Sequence, residues 1–178
     1  AWMTARKLNA KLHNISQGGI ALLDGTRYFG APVYLGVESC YDKIEYFPGL
    51  GEVKQWDFSR YTPDVVVVAI GQNDAHPDNY MPADYDGVKA KRWRERYEWF
   101  IRRLMQLYPE AKIVLATTIL MHDAAWDMAI DDVCRRIASG RVHHFLYKRN
   151  GAGTPGHIRI PEAQEMSEEL AAFIQKIL

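Results

Sequence analysis

One run of residues restricts the fold more than any other. After Pro63 the chain reads Asp64-Val65-Val66-Val67-Val68-Ala69-Ile70 and breaks at Gly71. A continuous β-branched stretch without polar alternation is the pattern of a strand buried on both faces, as in the middle of a parallel sheet. It is far too short to cross a bilayer. Parallel strands need long crossovers, usually helices, and the chain supplies them. Residues 84–108 carry one apolar stripe of Trp93, Tyr97, Phe100, Ile101, Leu104 and Tyr108. Lys91, Arg94, Glu95, Glu98 and Arg102 fall on the opposite, water-facing side, and Pro109 stops the helix.

The same alternation continues to the C-terminus. Residues 112–117 read as a strand. Residues 125–139 read as a helix with Ala129, Val133 and Ile137 inward and Gly140 as its C-terminal cap. Residues 142–147 read as another strand. Pro161 opens a last helix whose stripe is Met166, Leu170, Phe173, Ile174 and Ile177. Upstream, residues 2–9 read as the end of a helix. Residues 11–16 read as a short strand halted at Gln17-Gly18-Gly19. Residues 28–61, rich in Gly, Pro and aromatics, read as an ordered irregular region with one helical turn near 38–43. The predicted class is therefore α/β, a three-layer α/β/α sandwich on a parallel sheet, within one domain spanning 1–178.

Composition excludes several functions. Lysine and arginine number 22, equal to aspartate and glutamate, so no basic face exists for nucleic acid. No segment is long and apolar enough for a membrane helix. Cys40 and Cys134 match neither a metal spacing nor a disulfide framework and read as small buried hydrophobes. His143-His144 lies within a strand, where neighbours point to opposite faces. The pair therefore cannot hold one metal ion, and no metal or cofactor is expected.

In open parallel sheets ligands bind at the carboxyl ends of the strands, which selects four places. Gly71-Gln72-Asn73-Asp74 follows the valine run. Its Asn73 amide reads either as a donor to an oxyanion or as an ordinary turn residue, and Asp74 is a candidate substrate contact. Gln17-Gly18-Gly19 reads either as a backbone donor turn or as a plain left-handed turn. Between residues 118 and 126, Trp126 suits either stacking on a sugar ring or a lid over the core. Gly151-Ala152-Gly153-Thr154-Pro155-Gly156-His157 delivers a histidine just before the last helix, suited to act as a general base or to sit on the surface. Ser39, in Gly36-Val37-Glu38-Ser39-Cys40, is no nucleophile elbow, because the motif's closing glycine is absent: Cys40 and Tyr41 follow the serine.

Together these residues resemble the SGNH (GDSL-like) hydrolases, and among them carbohydrate esterase family 2, acetyl esterases acting on xylan and related polysaccharides. Asn14-Ile15-Ser16-Gln17-Gly18-Gly19 is similar to the family's second block, which implies Gly19 N–H as an oxyanion donor. Gly71 to Asp74 match its Gly-x-Asn-Asp block, which implies Asn73 as the second. His157 matches the histidine of the last block. The stretches at 56–63 and 117–120 also look like this family. The resemblance implies acyl transfer through a serine ester, with an acetylated carbohydrate as substrate and no cofactor. It further implies a secreted or cell-surface bacterial parent, and a preceding β-sandwich domain.

Two departures stand out. Gly-Asp-Ser, which supplies the family's nucleophile, occurs nowhere in the sequence, and Ser16 is only a weak fallback. No Asp precedes His157 by two or three residues, so a backbone carbonyl is expected to orient the imidazole. The chain reads as the C-terminal two-thirds of such a domain. Its first strand and nucleophile are expected from an N-terminal segment or a companion chain. In a sheet of order 2-1-3-4-5 that strand would lie between residues 11–16 and the valine run. The rival expectation is a non-enzymatic carbohydrate-binding remnant, or one piece of a split esterase.

Overall fold

The computed structural model describes residues 1–26, 35–46 and 53–178. The chain divides into two compact units. One comprises residues 1–18, 65–69 and 112–178; the other comprises 19–64 and 70–111.

The first unit holds the parallel sheet. Strands β3 (Val65–Ala69), β4 (Lys112–Ala116) and β5 (Val142–Phe145) lie in the order β3-β4-β5. Val65 stands beside Lys112 and Ala69 beside Ala116, while Ile113 stands beside Val142 and Ala116 beside Phe145. Central β4 is the strand covered on both faces, its residues Ile113 to Ala116 being at most 1% exposed. Val114 and Ala116 pack with Phe145, Tyr147, Leu170 and Ile174. Helix α6 (Ile160–Ile177) thus covers one face, and α1 (Trp2–Lys7) packs beside it. Helix α5 (Ala124–Ile137) covers the other face, burying Ala129, Ile130 and Val133 completely. His143 and His144 follow this alternation. The His143 ring meets Phe173 of α6 edge-on, and His144 Nδ1 lies 3.2 Å from Asp131 of α5.

The second unit contains α2 (Val37–Cys40), a small antiparallel pair of β1 (Lys43–Glu45) and β2 (Lys54–Gln55), α3 (Tyr80–Ala83) and the long α4 (Val88–Leu107). All six residues of the α4 stripe are buried, as its periodicity requires. Helix α2 lies near the expected helical turn. Part of the 28–61 region falls outside the described residues. No described helix is long and apolar enough to cross a membrane.

The structure corrects four expectations. Residues 11–16 form no strand and are exposed; Leu12 and Ile15, at 43% and 77% exposure, are too little buried among the described residues to fix the segment as one. The valine run is not buried on both faces, while its pairing with β4 alone among the described residues leaves open the edge where the expected first strand would lie. Val68 is buried, whereas Val67 is 42% exposed. Arg94 is buried rather than water-facing. Its guanidinium donates to the Tyr85 carbonyl at 2.7 Å and lies 4.0 Å from the Tyr85 ring centroid. The α5 helix closes at Ala138, which takes the left-handed conformation (φ 49°), and not at Gly140.

An exposed apolar edge invites pairing with another strand. Val67→Lys is therefore expected to leave unfolding free energy within about 0.5 kcal/mol while lowering self-association in sedimentation velocity. A loss of about 2 kcal/mol or more on denaturant titration would mean that Val67 is a core residue.

Candidate active site

The Gly71 to Asp74 turn does its structural work through two adjacent side chains. Residues 73–75 form a single 3-10 turn. The Asn73 carboxamide donates to the Ile20 carbonyl at 2.9 Å. Asp74, 1% exposed, accepts from the backbone N–H of Leu22 at 2.9 Å and of Leu23 at 3.3 Å. Residues 20–23 run without regular secondary structure, so their buried amides need partners from outside, and these side chains supply them. The anchored segment begins directly after Gly19, whose φ of 79° is left-handed backbone that favours glycine. The structure thus brings the Gly19 turn and Asn73 together within one unit. Asp74 is a holder of backbone amides rather than a substrate contact, which corrects its sequence-based role. Burial pushes its carboxyl up to about 6, against the pull of the Leu22 and Leu23 amides and the Trp93 indole. A carboxyl raised in this way lends stability that is full below the ordinary Asp range and lost as pH rises through about 6.

His157 stands exposed three residues beyond buried Thr154, just before α6. The loop leading to it is laced to the turn after β4. Gly151 N–H donates to Thr118 O at 3.2 Å, Gly153 N–H to Ile119 O at 2.7 Å, and Met121 N–H to Thr154 O at 2.8 Å. Helix α6 then starts under a local cap, in which the Glu162 carboxylate accepts from the Arg159 backbone N–H at 3.2 Å and pairs with its guanidinium.

A buried polar cluster, which sequence reading passed over, lies beneath that lacing. His122 Nε2 is 2.9 Å from Asp127 Oδ2, and His122 Nδ1 is 2.7 Å from Leu120 O. Thr117 Oγ1 donates to Asp127 Oδ1 at 2.7 Å, and Asn150 Nδ2 to Asp127 Oδ2 at 2.8 Å. Burial works against charge on His122, yet the hydrogen bond and charge of Asp127 hold its ring above the ordinary value. Burial likewise opposes charge on Asp127, but His122 and Thr117 hold its carboxyl below the ordinary value. The available sequence signal was the spacing of His122 and Asp127 across the start of α5, with Asn150 preceding the glycine loop.

Trp126, at 1% exposure, has the place of a core ring rather than a sugar platform. Ser16 is exposed, and among the described residues its hydroxyl bonds only the Asn14 side chain, at 2.8 Å. Ser39 Oγ donates to Asp24, and among the described residues no histidine is its partner. Among the described residues no group of three His, Cys, Asp or Glu side chains is arranged to hold a metal ion.

A parallel sheet with helices on both faces makes the sheet unit an α/β fold. No protein-family model matches the chain. The cellulase/esterase CelE of Acetivibrio thermocellus is 29% identical over 188 aligned positions, covering all of this chain and 21% of that protein. The acetylxylan esterase / glucomannan deacetylase of Cellvibrio japonicus is 28% identical over 132, covering 72% of this chain and 35% of that one. A family two carbohydrate esterase from Clostridium thermocellum, solved in complex with cellohexaose, superposes with a TM-score of 0.73 at 27% identity. That match covers 98% of this chain and 52% of that one. The chain's relatives by sequence and by structure are carbohydrate esterases of family 2, of whose length it spans only part.

Removing a fully buried indole leaves a cavity and costs about 3–5 kcal/mol. Trp126→Ala is expected to show that loss in chemical denaturation. A change below about 0.5 kcal/mol would return Trp126 to the surface.

Proposed function

We propose that this chain carries the histidine and two oxyanion donors of a serine esterase that removes O-acetyl groups from xylan or related plant polysaccharides. One observation carries the reading: Asn73 and Asp74 jointly pin the segment that follows Gly19. An oxyanion hole stabilises charge only if its donors are fixed before the reaction. The Asn73 carboxamide has two N–H groups. The one bonded to Ile20 sets the direction of the other. Gly19 N–H is the partner donor.

The chemistry follows from these groups. The nucleophilic serine attacks the acetyl carbonyl while His157 accepts its proton. The carbonyl oxygen gathers negative charge, which Gly19 N–H and the Asn73 amide receive. The tetrahedral adduct collapses, and His157 returns the proton to the departing sugar hydroxyl. Water, deprotonated by His157, then attacks the acyl-serine, and acetate is released as His157 returns that proton to the serine oxygen. With no Asp just before His157, a backbone carbonyl of its own loop orients the ring.

The nucleophile is assigned to a strand, from an N-terminal segment or a companion chain, that pairs along the open edge of β3. Two observations support this. Among the described residues that edge has no pairing strand, and neither Ser16 nor Ser39 bonds a histidine. The relatives' names support an acetylated carbohydrate substrate.

Two outcomes test the proposal. The chain as given is expected to resist a serine-reactive fluorophosphonate probe and to hydrolyse an aryl acetate negligibly. Missing its nucleophile, it should retain at most the residual ~10³–10⁴-fold over water that binding and an oxyanion hole provide. Robust turnover lost in Ser16→Ala would place the nucleophile at Ser16 instead. In a polypeptide uniting this chain with a Gly-Asp-Ser strand, His157→Ala should abolish deacetylation of acetylxylan. Asn73→Ala there should lower kcat by roughly two to three decades. An unchanged kcat would leave Asn73 a turn residue only.

A further inference from the structure

Each nitrogen of the His122 ring has an acceptor as its nearest partner, with the Asn150 amide nitrogen farther off, 3.4 Å from Nε2. Its Nδ1 faces the Leu120 carbonyl at 2.7 Å, and its Nε2 faces both Asp127 oxygens, at 2.9 and 3.1 Å. A carbonyl oxygen carries no proton. The Asp127 oxygens already accept from Thr117 and Asn150, which is the behaviour of an ionised carboxylate. The nearest partner of each ring nitrogen is thus an acceptor, an arrangement that the imidazolium, with its two N–H groups, satisfies on both sides. The side chains of this pair are 4% and 12% exposed, so water does little to screen it.

The same ring lies against the backbone of the loop that leads to His157. A Cβ on Gly151 would stand 3.3 Å from the ring's Cε1 and Nε2 and 3.1 Å from the His122 carbonyl oxygen. Gly151 also has φ 69°, a left-handed value. Its carbonyl accepts from His122 N–H at 3.3 Å, and Asn150 bonds Asp127. Thr154 bridges to Leu120 in parallel register.

We propose that His122, as an imidazolium paired with Asp127, is a positioning residue: it braces residues 150–154 against the turn after β4 and so fixes where His157 is presented. This rests on the reading of His157 as the general base. Three elements face the ring. Helix α5 contributes Asp127, the ring's own turn contributes Asp123, and the glycine loop contributes the neutral Asn150. Arg149 of that loop is engaged with Glu165 and with the Gly153 carbonyl. The Asp127 pairing holds the ring's pKa above the ordinary histidine value, so the brace is complete below that value and is lost as pH rises through the elevated one. At the acid end it is lost as pH falls through the depressed pKa of Asp127.

The test needs no catalysis. In the full chain labelled with ¹⁵N, both His122 ring nitrogens should carry protons at pH 7. After correction for intrinsic exchange, hydrogen exchange at the Gly151, Gly153 and Met121 amides should quicken roughly tenfold or more as His122 deprotonates. Amides of β4 should not follow that step. Asp127→Asn should abolish the pH step while leaving β4 protected. If that variant fails to fold, the pH series on the unaltered chain decides alone. A neutral His122 at pH 7, or loop protection indifferent to its titration, overturns the proposal. Loss of the His157 reading would show separately, as unimpaired deacetylation by His157→Ala beside an intact pH step.

Discussion

Strand β4 is the constraint on which the sheet unit depends. Ile113, Val114, Leu115 and Ala116 are consecutive and almost wholly buried, so both faces of the sheet must be covered at this strand. Helix α6 covers one face and α5 the other, and β3 and β5 satisfy the strand's backbone on its two sides. At roughly 25 cal/mol per Å² of apolar surface removed from water, neither helix can leave without exposing one face of β4. The turn that follows β4 inherits this rigidity. Thr117 is 1% exposed and Ile119 is fully buried, and it is to this turn that the histidine loop is tied.

The elements legible in the sequence were those that bury one side and leave a period. The α4 stripe reads every three to four residues because one face is apolar, and the structure buries each of its six members. His143 and His144 could be separated by the two-residue period of a strand, and they do face different helices. The failures share a cause as well. A valine run reports burial that a strand is built for, and cannot say which neighbours are present to provide it. Arg94 reads as charged in any pattern, yet its guanidinium lies over the Tyr85 ring, and no periodicity encodes that. Residues 11–16 have strand-like composition, but β propensity amounts to fitting a half-buried pleated surface, and here no surface receives them.

The site was legible where chemistry is local and illegible where it is relational. Gly71 to Asp74 could be recognised as a strand-end turn with a donor in it. That Asn73 reaches Ile20, and Asp74 reaches Leu22 and Leu23, spans more than fifty residues of chain. The His122 cluster is the stronger case. His122 and Asp127 are close in sequence, but their meaning depends on Thr117 and Asn150, which only the sheet brings beside them. Trp126 shows the converse: its loop position suits a sugar platform, while its burial makes it part of the core.

The order of the last two residues in Gly71-Gln72-Asn73-Asp74 has a physical logic of its own. Irregular backbone at 20–23 presents outward both a carbonyl, at Ile20, and amides, at Leu22 and Leu23. A donor side chain must meet the first and an acceptor the second. Asn73 supplies N–H groups, and ionised Asp74 only accepts. Exchanging their roles would set a carboxylate against a carbonyl, and would bring two amide hydrogens into a pocket already filled with donors. The cost is a carboxyl buried deeply enough to titrate near 6. Near neutral pH it is mostly ionised, and its charge is offset by backbone N–H groups rather than by a cation.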